Sequence, residues 1–107
     1  IYGDGTQTRD FTHVEDVVEA TIRAAEDRLT GIYNVGTGEQ YDFNTVVEML
    51  NDELGTDIDP DYVENPIRED VYVHDTMADA SKLSEATGWA PTISFEEGIE
   101  RVCAPYR

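Results

Sequence analysis

Positive charge is what this chain has least of. Lysine and arginine together number 7 against 24 aspartates and glutamates, the formal net charge is −17, and Lys82 is the single lysine. A surface of that sign repels polyanions, which excludes nucleic acid as a partner for its general surface. Cysteine is nearly absent too: with Cys103 alone, no internal disulfide can form. No long apolar run and no signal-peptide pattern occurs, so the expectation is a soluble, cytoplasmic protein that does not engage a membrane. Histidine is limited to His13 and His74, far apart, and no H-x-x-x-H, C-x-x-C or D-x-D-x-D-G string occurs. No metal site is therefore expected.

Two glycine clusters are incomplete. In "GTGEQY" Tyr41 occupies the place of the third small residue of G-x-G-x-x-G, and in "GDGTQT" Thr8 does. Both read as turns rather than dinucleotide cradles. Ser81, Ser84, Ser94 and Cys103 lack a glycine elbow, so none reads as a nucleophile.

What is present is an ordered chain. The acidic residues are spread through periodic segments that also carry aromatics, unlike a disordered acidic tail. High Asp and Glu with almost no Lys is the composition expected in a high-salt cytoplasm, where salt screens self-repulsion over about 3 Å at roughly 1 M. A length of 107 residues suits one small domain or part of a larger one, and the opening on Ile1 rather than Met suggests a piece of a longer chain.

Asp4-Gly5 predicts a tight turn between short extended pieces. Val14, Val17, Val18, Ile22 and Ala25 then share a helical face, with Thr12 or His13 as the cap. Ile32, Tyr33 and Val35, between glycines, predict a strand. Asp42 predicts the N-cap of a second helix carrying Phe43, Val46, Val47, Leu50 and Leu54, stopped by Gly55. Ile58 and Tyr62-Val63 read as an edge strand broken by Pro60, and Val71 and Val73 as a short extended piece. Asp79 caps a brief helix with Leu83 and Ala86. Ser94 and Glu97 form a capping box for a last helix that buries Phe95, Ile99, Val102 and Cys103.

The arginines are the best candidates for binding. Arg23, Arg28 and Arg101 have helical acidic neighbours; Arg9 and Arg68 lie in loops. A planar guanidinium takes two phosphate oxygens at once. For Arg9 that reading stands level with an ion pair to Asp10, Glu15 or Asp16. For Arg68, beside Glu69 and Asp70, an exposed ion pair is favoured. His74 can hydrogen-bond a ligand hydroxyl or sit as a surface histidine.

The strings "GDGTQTRDFTHVEDVVEA", "GIYNVGTGE", "ADASKLSEATGWAP" and "SFEEGIERV", in this order, resemble the C-terminal portion of extended short-chain dehydrogenase/reductase enzymes. Within these they are most similar to NAD-dependent nucleotide-sugar epimerases and dehydratases of the UDP-glucose 4-epimerase kind. The resemblance implies an α/β fold: a small mixed α/β substrate lobe (residues 1–11 and 41–107) plus a helix and strand (residues 12–40) that return to a Rossmann-type parallel sheet. It implies NAD held by an N-terminal domain with a Tyr-x-x-x-Lys pair, neither of which is present here, so no catalytic residue is expected in this chain. It implies a nucleotide sugar, a UDP-sugar first, as ligand, and a homodimer formed mostly through N-terminal helices. Arg9 matches the arginine that contacts the diphosphate, and Phe11 the aromatic beside it. Arg68 and Asp70 stand where the family carries R-x-G-D, although here the glycine is missing and the spacing is two rather than three; His74 lies in the same loop. A 4,6-dehydratase or reductase on a related substrate, and a non-catalytic acidic binding module, are the alternatives.

Overall fold

The computed structural model describes residues 1–107 and contains four α-helices and one two-stranded sheet. The strands are β1 (Thr8–Arg9) and β2 (Tyr41–Asp42), and the helices α1 (Val14–Glu26), α2 (Phe43–Leu54), α3 (Ser81–Thr87) and α4 (Phe95–Cys103). A 3₁₀ turn over Ala104–Tyr106 follows α4, with Pro105 inside it. No helix is long and apolar enough to cross a membrane.

The helix ends follow the expected local chemistry. His13, not Thr12, caps α1: its Nδ1 accepts from the Glu15 amide at 3.1 Å. Asp42 accepts from the Thr45 amide at 2.7 Å to cap α2, and Gly55 ends that helix at φ +66°. Ser94 accepts from the Glu97 amide at 3.1 Å to start α4. Ahead of α3 the cap residue is Ala80 rather than the expected Asp79 and makes no side-chain cap bond; Asp79 still accepts from the Ser81 amide at 3.0 Å, and Gly88 closes that helix at φ +75°. Each bond satisfies a backbone group that the helix itself leaves unpaired. Arg28 is a difference from expectation: it lies beyond α1 with φ +53°, not within the helix.

β1 is the organising strand. It runs antiparallel to β2, with Thr8 opposite Asp42 and Arg9 opposite Tyr41. On its other side Thr8 donates to the His74 carbonyl and accepts from the Thr76 amide. Arg9 therefore sits between the start of α2 and the 72–76 segment. The turn expected at Asp4-Gly5 is present between Tyr2 and β1, but the two flanking pieces do not pair with each other; Tyr2 bridges Val63, the one bridge made by the expected edge strand. Gly5 is required at this turn. Its φ is +80°, and a Cβ there would fall 2.1 Å from Asn44 Oδ1, while Asn44 Nδ2 holds the Asp4 carbonyl at 3.0 Å.

The packing of α1 departs most from the hydrophobic pattern. Its apolar stripe is exposed, Val14 by 67% and Val18 and Ile22 by about half, while the face turned inward carries Asp16 and Ala20. Ala20 packs with Leu83 and Trp89 in the small core, flanked by Leu29, Tyr33, Val35 and Ala80. Asp16 is buried but fully served. Its carboxylate accepts from the Thr92 amide and hydroxyl, both at 3.0 Å, and from the Ile93 amide at 3.1 Å, and its carbonyl accepts from Trp89 Nε1 at 3.1 Å. These bonds latch the 89–93 link to α1.

Residues 32–35, expected as a strand, pair with no other strand, and Ile32 is 84% exposed. Lys82 fastens this segment at one point, donating to the Ile32 carbonyl at 2.8 Å with its ammonium 4.4 Å from the Tyr33 ring centroid. The Cα envelope measures 46 × 39 × 17 Å. With a helix about 10 Å across including side chains, that thickness holds barely two layers. This is why the strand formers and the α1 stripe find nothing to bury against.

Candidate functional site

Two regions compete for the site. An apolar cleft of about 310 Å³ lies between α2 and α4 and is lined by Phe11, Val46, Leu50, Phe95, Ile99 and Val102. Of the polar residues lining it, His13 through Nδ1 and Ser94 through Oγ serve as helix caps. Such a cleft offers a polar ligand almost nothing. Phe11 belongs here: its ring stacks on Phe95 at 5.0 Å and leans on Phe43 at 6.4 Å, and Phe95 also meets Tyr41 at 4.3 Å.

The second region is centred on Arg9. In a chain this acidic the guanidinium pairs with no carboxylate, whereas Arg23, Arg68, Arg101 and Arg107 each do. The ion pairs from Arg9 to Asp10, Glu15 or Asp16 are not formed. Nη1 donates to the Thr8 and His74 carbonyls at 2.6 and 2.9 Å, and Nη2 to the Val73 carbonyl at 2.9 Å. The phenol of Tyr72 stands 3.4 Å from Nη2. The cation lies 5.7 Å from the Phe43 ring centroid and 5.6 Å from that of Tyr72, within cation–π range of both. β1, the first residue of α2 and the 72–74 segment together hold it.

Asp10, next to Arg9, has a separate task. It accepts from the Thr37 amide and hydroxyl, the Gly38 amide and the Ala78 amide, at 2.6–3.1 Å. Burial pushes this carboxyl up, but the bonds from Thr37, Ala78 and Gly38 outweigh it and hold the group below the usual carboxylate range. Gly36 is needed here: a Cβ would fall 2.3 Å from the Ala78 Cβ and 2.8 Å from Asp10 Oδ2. The Gly36-Thr37-Gly38 turn is thus a socket for a carboxylate of this chain, and it does not fit a dinucleotide.

The remaining candidates lie in the loop after β2 and α2. Arg68 and Asp70 pair with one another on an exposed turn. The His74 ring lies 2.9 Å through Nδ1 from Asp75 and 3.2 Å through Nε2 from the Thr6 hydroxyl. Its carbonyl, not its ring, meets Arg9. Tyr72 and Phe43 were not foreseen at the site. Tyr72 carried a signal in its place between Val71 and Val73, where alternation turns it to the other side of the segment. Replacing Arg68 with alanine is expected to change stability by less than about 1 kcal/mol, as for exposed ion pairs generally, in urea unfolding.

The arrangement of β1, α1, the extended 32–35 segment and the three later helices is that of the C-terminal portion of Rossmann-type epimerases and dehydratases, the extended short-chain dehydrogenase/reductase class. Within that class the chain belongs to the family described as GDP-mannose 4,6 dehydratase, whose model matches residues 1–102. It is 38% identical over 102 residues to UDP-glucuronate 4-epimerase of Thermodesulfobacterium geofontis, covering 94% of this chain and 31% of that protein. Among solved structures it is similar to UDP-glucose 4-epimerase of Thermotoga maritima with UDP-glucose: TM-score 0.85, 34% identity, 100% of this chain and 34% of that one. UDP-glucuronic acid 4-epimerase of Bacillus cereus, in complex with UDP-glucuronic acid and NAD, gives TM-score 0.82 and 34% identity over 94% of this chain and 32% of that one. The chain thus spans about a third of the length of the relatives it matches.

Proposed function

We propose that these residues form the substrate-binding portion of an NAD-dependent nucleotide-sugar 4-epimerase, with a UDP-sugar as ligand and Arg9 on its diphosphate. One observation carries this reading: Arg9 is the arginine of β1 left without a carboxylate, held rigidly between Phe43 and Tyr72. A fixed, uncompensated guanidinium is suited to a diphosphate. Phe11 backs it through the aromatic cluster with Phe43 and Phe95. Arg68, Asp70 and His74 are assigned as lesser contacts, because each must first leave a partner of its own.

NAD, when bound, supplies reversible hydride transfer at a sugar carbon. The residues of this chain do not fit that cofactor, and their part is to grip and orient the nucleotide sugar. The division of labour is then between residues 1–11 with 41–107, as substrate lobe, and residues 12–40, whose exposed Val14, Val18, Ile22 and Ile32 dock on a parallel sheet elsewhere in the whole protein. A cytoplasmic homodimer assembled through that other part completes the proposal.

A second reading, a non-catalytic acidic binding module, is favoured by one fact: Arg9 already makes bonds to three carbonyls and so has a structural use. Titration of the full-length protein with UDP-glucose and UDP-glucuronic acid, followed by an epimerisation assay with NAD, separates the two. Saturable binding with interconversion of the C4 epimers is expected; no binding to either sugar nucleotide selects the module.

A further inference from the structure

Arg9 is only partly spent in the protein as folded. A guanidinium has five N–H donors in one plane, and its edges each present two of them side by side. Three of the Arg9 donors, two on Nη1 and one on Nη2, go to the Thr8, His74 and Val73 carbonyls at 2.6–2.9 Å. The fourth, also on Nη2, meets only the Tyr72 phenol at 3.4 Å, a long contact. Nε donates to no acceptor in the protein. Nε and Nη2 share an edge. Nε is therefore unused and Nη2 only partly used, and the Tyr72 hydroxyl stands beside that Nη2.

We propose that Tyr72 is a further diphosphate-binding residue: its hydroxyl donates to a phosphoryl oxygen seated on the Nε–Nη2 edge of Arg9. This rests on the reading of Arg9 as the anion contact. A phenol is a donor as well as an acceptor. Facing Arg9 alone it can only accept, weakly; with an anion on that edge it turns its proton to the anion and the long contact becomes incidental. The ring, half-buried against the guanidinium at 5.6 Å, fixes where the hydroxyl lies. The segment bearing it is itself tied down. Thr8 and Thr76 bond across β1, and the Asp75 carboxylate accepts from the Thr8 hydroxyl at 2.8 Å and meets the His74 ring. Those bonds occupy the Asp75 carboxylate, the acidic group nearest in sequence that joins this network.

The test uses Tyr72→Phe, which keeps the ring over Arg9 and removes only the hydroxyl, in the full-length protein. Calorimetric titrations with UDP and with uridine are compared for wild type, Tyr72→Phe and Arg9→Ala. Expected for Tyr72→Phe is a loss of about tenfold in UDP affinity with uridine affinity unchanged, the effect of one hydrogen bond to a charged group. A Tyr72→Phe protein that binds UDP as wild type does, while Arg9→Ala does not, overturns this proposal and leaves Arg9 standing. Equal losses for UDP and uridine assign Tyr72 a packing role and also overturn it. A wild type that binds UDP no better than uridine removes the Arg9 reading and this one with it.

Discussion

Arg9→Ala is expected to weaken UDP-sugar binding by a hundredfold or more, the largest functional loss any single replacement in this chain should give. The size follows from the two charge-assisted bonds proposed between Arg9 and the diphosphate, at about 1.5–3 kcal/mol each. Part of the effect will be structural, because the same side chain fastens Val73 and His74. The two parts can be measured apart. Loosening of the 72–76 segment shows as faster hydrogen exchange at the Thr8 and Thr76 amides, which bond across β1 to that segment. Loss of the anion contact shows as a fall in affinity for UDP that uridine does not share. Arg9→Lys separates them further. It keeps the charge but not the planar fork, so it should recover a minority of the lost affinity. Affinity unchanged in Arg9→Ala, with the fold intact, would mean that the diphosphate lies elsewhere.

Helix starts and stops were legible because they are local: Asp42, Ser94, Gly55 and Gly88 act within a few residues of themselves. The importance of Arg9 was legible as a question, since its residue type and loop position allow both an ion pair and an anion site. What decided against the ion pair is nonlocal: acceptors some 65 residues away at Val73 and His74. Periodicity named the apolar stripe of α1 correctly but could not say that Asp16 and Ala20 would face the interior. That inversion depends on Trp89 and the amides of Thr92 and Ile93 arriving from the far end of the chain. The strand at 32–35 failed to form for a related reason. A strand needs a neighbour, and its strand-forming residues cannot supply one.

Asp16 should be the most costly residue to replace for stability. Asp16→Ala removes the buried acceptor of three hydrogen bonds and leaves the buried Ile93 amide without a partner, while the amide and hydroxyl of exposed Thr92 turn to water. The expected cost is about 2–4 kcal/mol in urea unfolding of the full-length protein. Asp16→Asn should cost about half as much. Its amide oxygen can still accept from Thr92, but its NH2 then opposes the Ile93 amide. The pH dependence distinguishes this account from simple loss of packing. Burial pushes the Asp16 carboxyl up, yet the Thr92 and Ile93 amides, the Thr92 hydroxyl and the nearby His13 outweigh it and hold the group below its usual range. A folded-state value lower than the unfolded one means that protonation favours unfolding. The contribution is fully present above about pH 4, the unfolded value, and is lost as pH falls through the folded value. The gap in stability between wild type and Asp16→Asn should therefore be widest near neutrality and narrow on acidification. Other carboxylates such as Asp10, held low in the same way, will still give the variant an acid limb of its own. A gap that stayed constant down to pH 2 would show that Asp16 acts through its shape and not its charge.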